Sequence, residues 1–462
     1  MNNELLEKKL RDLSFSDYPS LRKEKIALIV PPSPQQPTPG REFLITGPFE
    51  GFTYIATLIK KMGFELQVID CRLKESPVSH VLENIKNVSA VGIATYCDSY
   101  LFLEELTSLL KKEDPNLPIF LGGPLVTSLP ELLLTKTQAD FAVLGEAELT
   151  LLELLEDLFK SDWQERIKTI PGLAYKNKDH EIILTEAREQ IKNLDNLPLL
   201  DYSVWPNYES ILKNGQILIS STRGCPHSCA FCFKTIPCVR SKSLSHFEYE
   251  VAALKKQTGF NYTWLNDLNF NLGLERSLEL AKILKKHEIK FHCFSRVHPV
   301  SEDLMTTLKE SGCLGIWFGI ESCDQDVLDA NRKATKVSQI DHALSLAEKA
   351  GLAARGLFIV GLENESEEAL KKMVQFIKKG TFLPLVKYLV PFPGTHHYER
   401  ARQMKLIDDE SEFLRMLSRR KIRDQDDELI NLTNLDEDVL RKYFHEIWEI
   451  TREREQQKCF QL

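Results

Sequence analysis

The chain has 462 residues, of which 43% are hydrophobic and 27% charged, and its formal net charge at pH 7 is −8. These values are ordinary for a globular protein, and the length allows two or three domains with sizeable cores. The negative charge gives no strong signal for a nucleic-acid partner. The apolar runs are too short to cross a bilayer, and the charged N-terminus lacks the pattern of an export signal. We therefore expect a cytoplasmic protein without a membrane partner.

The first 150 residues alternate short apolar runs with amphipathic stretches. Runs rich in Ile and Val predict strands at residues 25–30, 65–69, 90–95, 118–122 and 141–144. Helices are predicted between them, for example at residues 52–62 and 100–112. Buried strands separated by amphipathic helices are typical of a parallel sheet covered on both faces. Five such units predict an α/β domain with a flavodoxin-like, doubly wound parallel sheet.

A second series of strands and helices begins after a helix, a strand–turn–strand excursion and a linker punctuated by prolines. Its strands are predicted at residues 217–220, 262–265, 291–294, 315–320, 356–360 and 387–390. Six repeats without a closing pair predict an open, partial (β/α)6 barrel of the TIM type. A charged tail with core-like spacing of apolar residues predicts C-terminal helix. The predicted regions are the doubly wound domain (1–150), a linker with a β-hairpin (151–210), the barrel (211–405) and the helical region (406–462).

Four of the ten cysteines lie close together, between Cys225 and Cys238. Cys225, Cys229 and Cys232 have CxxxCxxC spacing and follow the first strand of the predicted barrel, the strand end at which barrels place their chemistry. Clustered cysteines in a chain without an export signal indicate metal binding rather than disulfides. Three thiolates can hold three irons of a [4Fe–4S] cubane and leave the fourth iron open to a small molecule. The alternative is a zinc site completed by His227 or Cys238.

The cysteine spacing resembles the signature of the radical S-adenosylmethionine (SAM) superfamily. The resemblance implies that the open iron binds SAM and that an electron from the cluster cleaves it to a 5′-deoxyadenosyl radical. Further matches follow the later strands in order, including a glycine-rich turn at Gly361 and a PFPGT segment at residues 391–395. Phe231 matches the position near adenine, and Glu321 matches the carboxylate that binds the ribose. The SAM-binding residues that the resemblance implies are Phe231, Asn266, Asp267, Ser295, Arg296 and Glu321.

The N-terminal region resembles the cobalamin-binding domain that precedes the barrel in one radical SAM subfamily. The resemblance rests on residues 48–56 and 61–65 and on glycine-containing loops after the predicted strands. Glycines there let a ligand approach backbone N–H groups at the edge of the sheet. The cobalamin-binding residues implied are Thr95, Gly122, Gly123, Pro124, Gly145 and Glu146. No D-x-H-x-x-G motif is present, which implies cobalamin without a protein histidine on cobalt. The alternative is a domain that packs on the barrel and binds nothing.

The resemblance implies a radical SAM enzyme with a [4Fe–4S] cluster, SAM and cobalamin as cofactors. The leading hypothesis is methylation of an unactivated carbon in a small-molecule or peptide substrate, with electrons from a donor such as flavodoxin or ferredoxin. A second hypothesis keeps both cofactors but performs a rearrangement, cyclisation or oxidation without methylation. A third, from another class, is a non-catalytic iron–sulfur or zinc-binding module. The sequence assigns no catalytic residue beyond the cluster ligands, and neither substrate nor oligomeric state.

Overall fold

The computed structural model describes residues 2–16, 18, 19, 21–33, 47–234, 236, 238–419 and 429–456. The described residues form two compact units. The first runs to Asn214 and takes in the segment from Asp409 to Arg419, and the second runs from Gly215 to Asp408 and takes in the last helix. Within this described part of the chain, no helix has the length and apolar character needed to cross a membrane.

The first unit is built on a seven-stranded sheet. Its strands are β1 (Lys25–Val30), β2 (Glu65–Asp70), β3 (Ala90–Ala94), β4 (Ile119–Gly122), β5 (Phe141–Val143), β6 (Leu173–Lys176) and β7 (Ile182–Leu184). Their order is β2-β1-β3-β4-β5-β6-β7, and β1 to β5 are parallel. The order 2-1-3-4-5 is that of flavodoxin-like folds, which confirms the predicted doubly wound domain.

The predicted β-hairpin of the linker belongs to this same sheet. Strand β6 pairs antiparallel with β5, and β7 pairs antiparallel with β6. Residues 151–210 therefore extend the first unit, although the predicted domain boundaries themselves stay predictions.

Helices cover the sheet of the first unit. They span Asn3–Phe15, Glu50–Lys61, Pro77–Asn84, Tyr100–Glu113, Pro124–Ser128, Pro130–Lys136, Ala147–Asp157, Trp163–Arg166, Tyr208–Asn214 and Glu410–Arg419. Apolar residues at helical spacing place one face of each longer helix against the sheet. In Tyr100–Glu113, for example, Leu103, Leu106 and Leu110 are almost fully buried. The positive charges of Lys111 and Lys112 in its last turn interact favourably with the negative end of the helix dipole.

The second unit is an open barrel of six parallel strands with a small two-stranded ladder beside it. The strands are β8 (Gln216–Ile219), β9 (Thr222–Arg223), β10 (Arg240–Ser241), β11 (Tyr262–Leu265), β12 (Lys290–Ser295), β13 (Cys313–Glu321), β14 (Ala354–Val360) and β15 (Leu383–Tyr388). The six-stranded sheet has the order β15-β14-β13-β12-β11-β8, and β9 pairs with β10. This is the predicted partial barrel. Its helices span Leu244–Thr258, Leu274–Lys286, Glu302–Glu310, Gln325–Ala330, Val337–Lys349, Glu367–Lys379, His396–Gln403 and Glu437–Gln456.

The last helix covers the edge strand β15. The hydroxyl of Thr451 donates to the carbonyl of Pro384 over 2.9 Å, and the rings of Tyr388 and Phe444 stack at 4.0 Å. An uncovered edge strand would offer unpaired backbone groups to other chains, so this helix protects the open side of the barrel. The helical tail was predicted for residues 406–462, of which 420–428 and 457–462 lie outside the described residues.

Strand β15 is the predicted strand whose position differs most from the structure. It was expected at residues 387–390 but spans Leu383–Tyr388. Proline is rare in central strands because it lacks the N–H that donates to the neighbouring strand. Pro384 is accommodated because β15 pairs with a single neighbour, β14.

Gly92 of β3 supplies a test of the first unit's packing. A Cβ atom at this position would lie 2.3 Å from the ring of Phe120 and 2.6 Å from Leu28, both in the core. We expect Gly92→Ala to lower the free energy of unfolding by about 1–3 kcal/mol, as overpacking does. Gly51→Ala is the matched control, because nothing lies within 4 Å of its added methyl group and alanine favours the helix. Equal stability of the two variants in urea unfolding would contradict the predicted overpacking.

Candidate functional site

The cysteine loop, residues 224–239, is closed at its base by the β9–β10 ladder. Thr222 and Arg223 pair with Ser241 and Arg240 on the far side of the loop. Gly224 begins the loop with φ +86°, and a Cβ there would lie 2.2 Å from the carbonyl oxygen of Cys238. The backbone on the two sides of the loop therefore approaches to a distance that only glycine allows.

The three signature thiols lie within one loop and interact electrostatically. Burial, and after it the neighbouring Cys229, Cys225 and Glu321, raise the pKa of Cys232 to about 11, because low exposure and nearby negative charge both disfavour a thiolate. Among the described residues, no three Cys, His, Asp or Glu side chains converge on a common metal position. The donor set nevertheless has the chemistry that a cubane needs, since the three thiols are free of disulfides and close enough to influence one another.

A buried pair, Asn331 and His397, holds the centre of the cysteine loop. The N–H of Ala230 donates to the carbonyl of Asn331 over 2.9 Å. The carbonyl of Ala230 accepts from the N–H of His397 over 3.3 Å. The amide of Asn331 donates to the carbonyls of Val327 and Glu363, so its Oδ1 must accept from His397 Nε2, 2.7 Å away. Burial lowers the pKa of His397 to about 4 and keeps the ring neutral. This pair fixes the stretch of backbone between Cys229 and Cys232.

Asp267, predicted to contact SAM, also anchors the entry to the loop. Its Oδ1 accepts from the N–H groups of Ser221 and Thr222 over 2.7 and 2.8 Å, and its Oδ2 accepts from the Ser221 hydroxyl over 2.6 Å. The carboxyl is buried, and burial raises its pKa although these hydrogen bonds act in the opposite direction. Oδ1 thus holds two backbone N–H groups, and Oδ2 holds a side-chain hydroxyl. The neighbouring Asn266 is exposed at the end of β11.

Ser295, the last residue of β12, and Arg296, which follows it, lie in different surroundings. Arg296 lies over the loop: Nη1 donates to Cys229 Sγ over 3.8 Å, and Nη2 donates to the Lys333 carbonyl and to Thr335 Oγ1. Ser295 is buried, and its hydroxyl has no partner among the described residues. By the alternation of a strand it shares the face of Phe291 and Cys293, which are fully buried.

Glu321 forms a buried ion pair with Lys333. Lys333 Nζ lies 2.7 Å from Glu321 Oε1, and both side chains are at most 10% exposed. A register shift in the β13–β14 ladder and a φ of +70° turn Glu321 at the end of the strand. A non-glycine residue keeps such a φ only when its surroundings hold it. Gly319 provides the space, because a Cβ there would lie 2.8 Å from Glu321 Oε1 and 2.9 Å from Lys333 Nζ.

Three residues that the sequence reasoning missed complete this site. Lys333 lies 5.9 Å from the centre of the Phe231 ring, and its positive charge partly offsets the rise in the pKa of Cys232. Asn331 and His397 hold the backbone of the loop. Lys333 is 12 positions from Glu321 and belongs to no motif at a strand end. His397 is the second residue after the PFPGT segment, which was the one sequence signal that could have pointed to it.

The residues predicted for cobalamin lie at the carboxyl edge of the first unit's sheet. Thr95 is fully buried and ties two loops together, since its hydroxyl donates to the Gly122 carbonyl and accepts from the N–H of Val126, both at 3.1 Å. Gly123 packs against the backbone of Thr95, and Pro124 begins a short helix. Glu146 accepts from the N–H of Ile191 over 3.3 Å.

Two glycines at this edge face open space. Nothing lies within 4 Å of where a Cβ would stand on Gly122 or Gly145. A ligand can therefore approach the backbone there, which fits a cofactor tail at the switch-point edge of a doubly wound sheet.

An open parallel barrel with three loop-borne thiols at its carboxyl end, preceded by a doubly wound domain, defines a class of iron–sulfur enzymes. The family model described as "Radical SAM superfamily" matches residues 219–377, and the one described as "B12 binding domain" matches residues 47–155. The chain is therefore a radical SAM enzyme that carries an N-terminal B12-binding domain.

Individual relatives agree with this assignment. The chain is 28% identical to an uncharacterised methyltransferase of Pyrococcus horikoshii over 83% of this chain and 84% of that protein. It is 26% identical to an anaerobic magnesium-protoporphyrin IX monomethyl ester cyclase of Rubrivivax gelatinosus, over 72% of this chain and 62% of the cyclase. Its fold is similar to that of TsrM, a radical SAM methyltransferase of Kitasatospora setae solved with cobalamin and a [4Fe-4S] cluster: the TM-score is 0.66 at 17% identity, over 83% of this chain and 76% of TsrM.

The predicted α/β fold and the predicted cofactors, a [4Fe–4S] cluster, SAM and cobalamin, are confirmed at the level of these domains. The hypothesis of a non-catalytic iron–sulfur or zinc module is not supported by them. The individual site residues stay predictions.

Cluster content tests the ligand set. We expect Cys225→Ala, Cys229→Ala and Cys232→Ala each to abolish the [4Fe–4S] cluster, because two thiolates would remain to hold it. Cys238→Ala is the matched control: this thiol is exposed and is not among the groups that act on Cys232. Iron and sulfide per chain are measured after anaerobic reconstitution. Wild-type iron in the three signature variants, or its loss in the control, would overturn the assignment.

SAM affinity tests Glu321. The amide of Glu321→Gln keeps the shape but loses the charge that strengthens hydrogen bonds to ribose hydroxyls. We expect SAM to bind about ten- to a hundredfold more weakly, with the cluster retained. Glu153→Gln, which likewise removes the negative charge from a buried ion pair, here with Arg188 in the first unit, should leave the affinity unchanged. Unchanged binding by titration in Glu321→Gln would mean that another residue holds the ribose.

Proposed function

We propose that the protein is a cobalamin-dependent radical SAM methyltransferase that acts on an unactivated carbon of a small-molecule substrate. The observation that carries the proposal is the presence of both domains in one chain whose relatives, in sequence and in fold, include methyltransferases. A B12-binding domain supplies a methyl carrier that the barrel alone lacks. Methylation is a reaction that uses both halves of the chain.

The chain's own residues have distinct tasks in this proposal. Cys225, Cys229 and Cys232 hold the cluster, and Glu321 holds the ribose of SAM. Arg296, whose guanidinium donates to Cys229 Sγ, stabilises negative charge on the sulfur. The edge at Gly122 and Gly145 receives cobalamin. When bound, the cluster with SAM supplies hydrogen abstraction from carbon and cobalamin supplies a transferable methyl group, so the protein's part is to position and shield them.

A second candidate keeps the cofactors without net methylation. It is favoured by the similarity to an anaerobic magnesium-protoporphyrin IX monomethyl ester cyclase, which covers 72% of this chain. In that case the same residues would hold the same cofactors, and the product would carry no new methyl group.

A radical SAM enzyme takes a small-molecule substrate and draws on a reductant. We propose flavodoxin or ferredoxin as the electron donor and the cytoplasm as the place of action. The cysteines of the described residues are all free thiols, which suits a reducing compartment.

Methyl transfer from labelled SAM tests the proposal. Anaerobic protein reconstituted with iron, sulfide and cobalamin is incubated with reductant and SAM that carries a deuterated methyl group. We expect labelled methylcobalamin. We also expect Gly122→Val to retain the cluster but lose bound cobalt, because the larger side chain fills open space at the sheet edge.

Two control variants accompany this experiment. Gly273→Val places a similar side chain in open space at the start of a barrel helix, outside the B12-binding domain, and should keep cobalt. His80→Ala should also keep it, since the first 150 residues contain no other histidine and no histidine ligand to cobalt is expected. Full cluster and SAM cleavage without any bound cobalt would refute the proposal. Bound cobalt and SAM cleavage without any label on cobalamin would favour the second candidate.

A further inference from the structure

The concave face of the barrel sheet carries a cluster of aromatic side chains. Trp264 of β11, Phe294 of β12 and Trp317 of β13 contact one another, with ring centres 5.4 Å (Trp264–Phe294), 4.8 Å (Trp264–Trp317) and 5.5 Å (Phe294–Trp317) apart. The alternate residues of the same strands, such as Cys293 and Phe318, are fully buried on the other face. We call the three rings the aromatic floor.

The aromatic floor lies just below the end of the barrel that holds the cofactor residues. Trp264 and Phe294 are the penultimate residues of their strands, and Phe294 is in register with Trp317. On β13 the positions after Trp317 on the same face are Gly319 and then Glu321, which ends the strand. A molecule lying on the floor would therefore be next to the Glu321 end of the barrel, where parallel barrels carry out their chemistry.

The composition of the floor differs from ordinary barrel filling. Barrel interiors are usually packed with branched aliphatic side chains, whereas this layer is aromatic. Phe294 and Trp317 are only half-buried, so part of their surface remains open. Two exposed apolar residues lie in the loops at the same end of the strands, Leu268 (64% exposed) after β11 and Phe392 (41% exposed) after β15. Exposed apolar surface at a catalytic end is typical of a ligand site.

The rings are also held by neighbouring side chains on the same face of the sheet. The ring of His292 stacks on Trp264 at 4.7 Å with an interplanar angle of 17°, and its Nδ1 hydrogen-bonds with the Tyr262 hydroxyl over 2.8 Å. The guanidinium of Arg355 lies 4.8 Å from the centre of the Trp317 ring. Burial lowers the pKa of His292 to about 4, which keeps this support neutral. Preorganised rings lose little freedom when a ligand binds.

We infer that the aromatic floor is the substrate-binding surface and that the substrate presents a planar conjugated ring system to it. Ring faces and edges attract other rings in stacked and edge-to-face geometries, beyond the burial of apolar area that a saturated molecule would also provide. This inference rests on the proposed function for its orientation toward the cofactors, and it adds the substrate class.

A pair of ring probes tests the inference. Binding of 2-naphthoate and of its saturated counterpart, decahydro-2-naphthoate, is measured by equilibrium dialysis with the full, anaerobically reconstituted chain in the presence of SAM. We expect the planar acid to bind about tenfold more tightly, the size expected for one or two aromatic contacts. Trp264→Leu and Trp317→Leu should each remove most of this preference, whereas Trp317→Phe, which keeps a ring, should retain it.

Trp448→Leu is the control, because this tryptophan is half-buried on the last helix, with Arg452 over its ring. It should leave the preference unchanged. Equal affinities for the two acids, binding of neither, or an unchanged preference in both leucine variants of the floor would overturn the inference. Cluster content and labelled methylcobalamin are measured on the same samples. If the wild-type protein prefers the planar acid but carries no cluster or forms no labelled methylcobalamin, the result counts against the proposed function and not against the ring selectivity.

Discussion

The cysteine loop must keep three sulfur donors close together, and the functional end of the barrel depends on this constraint. Burial, and after it the neighbouring Cys229, Cys225 and Glu321, raise the pKa of Cys232 to about 11 and so favour its neutral thiol. A loop that holds such donors together without a metal must be held by contacts outside the thiols. The structure supplies them at three points: the β9–β10 ladder at the base, Asp267 at the entry and the Asn331–His397 pair at the centre. Iron would bind the sulfurs as thiolates with release of their protons, so these contacts prepare the loop before metal arrives.

Buried polar groups hold much of this end of the barrel in place, and each is hydrogen-bonded or ion-paired with a specific partner. Asp267 accepts three hydrogen bonds from the residues that lead into the loop. The Glu321–Lys333 pair is buried beside Gly319, where any side chain would displace it. Removing one partner of such a pair leaves an uncompensated charge out of water, which is strongly destabilising. The same low exposure strengthens the interaction of Glu321 with any hydroxyl that reaches it.

The two units use one principle, since both are parallel sheets whose loops follow the carboxyl ends of the strands. In the first unit Thr95 ties the loops after β3 and β4 together and leaves Gly122 open. In the second unit the loops carry thiols, an ion pair and apolar side chains above an aromatic floor. Parallel strands gather loops from distant parts of the chain at one edge, which is why both cofactor regions lie there.

The sequence by itself determined the two α/β series, the order of the strand-end motifs and the three signature cysteines. Those features are local: apolar runs of strand length, helical periodicity and CxxxCxxC spacing are all written in short segments of chain. What Asp267 does was decided only by tertiary structure, because its partners, Ser221 and Thr222, lie 46 and 45 positions away. The same holds for His397 and Asn331, separated by 66 positions, and for the stacking of Trp264 on His292 from neighbouring strands. A residue's type and spacing indicate which chemistry it can perform, but its partner depends on which strands become neighbours, and short-range pattern does not contain that information.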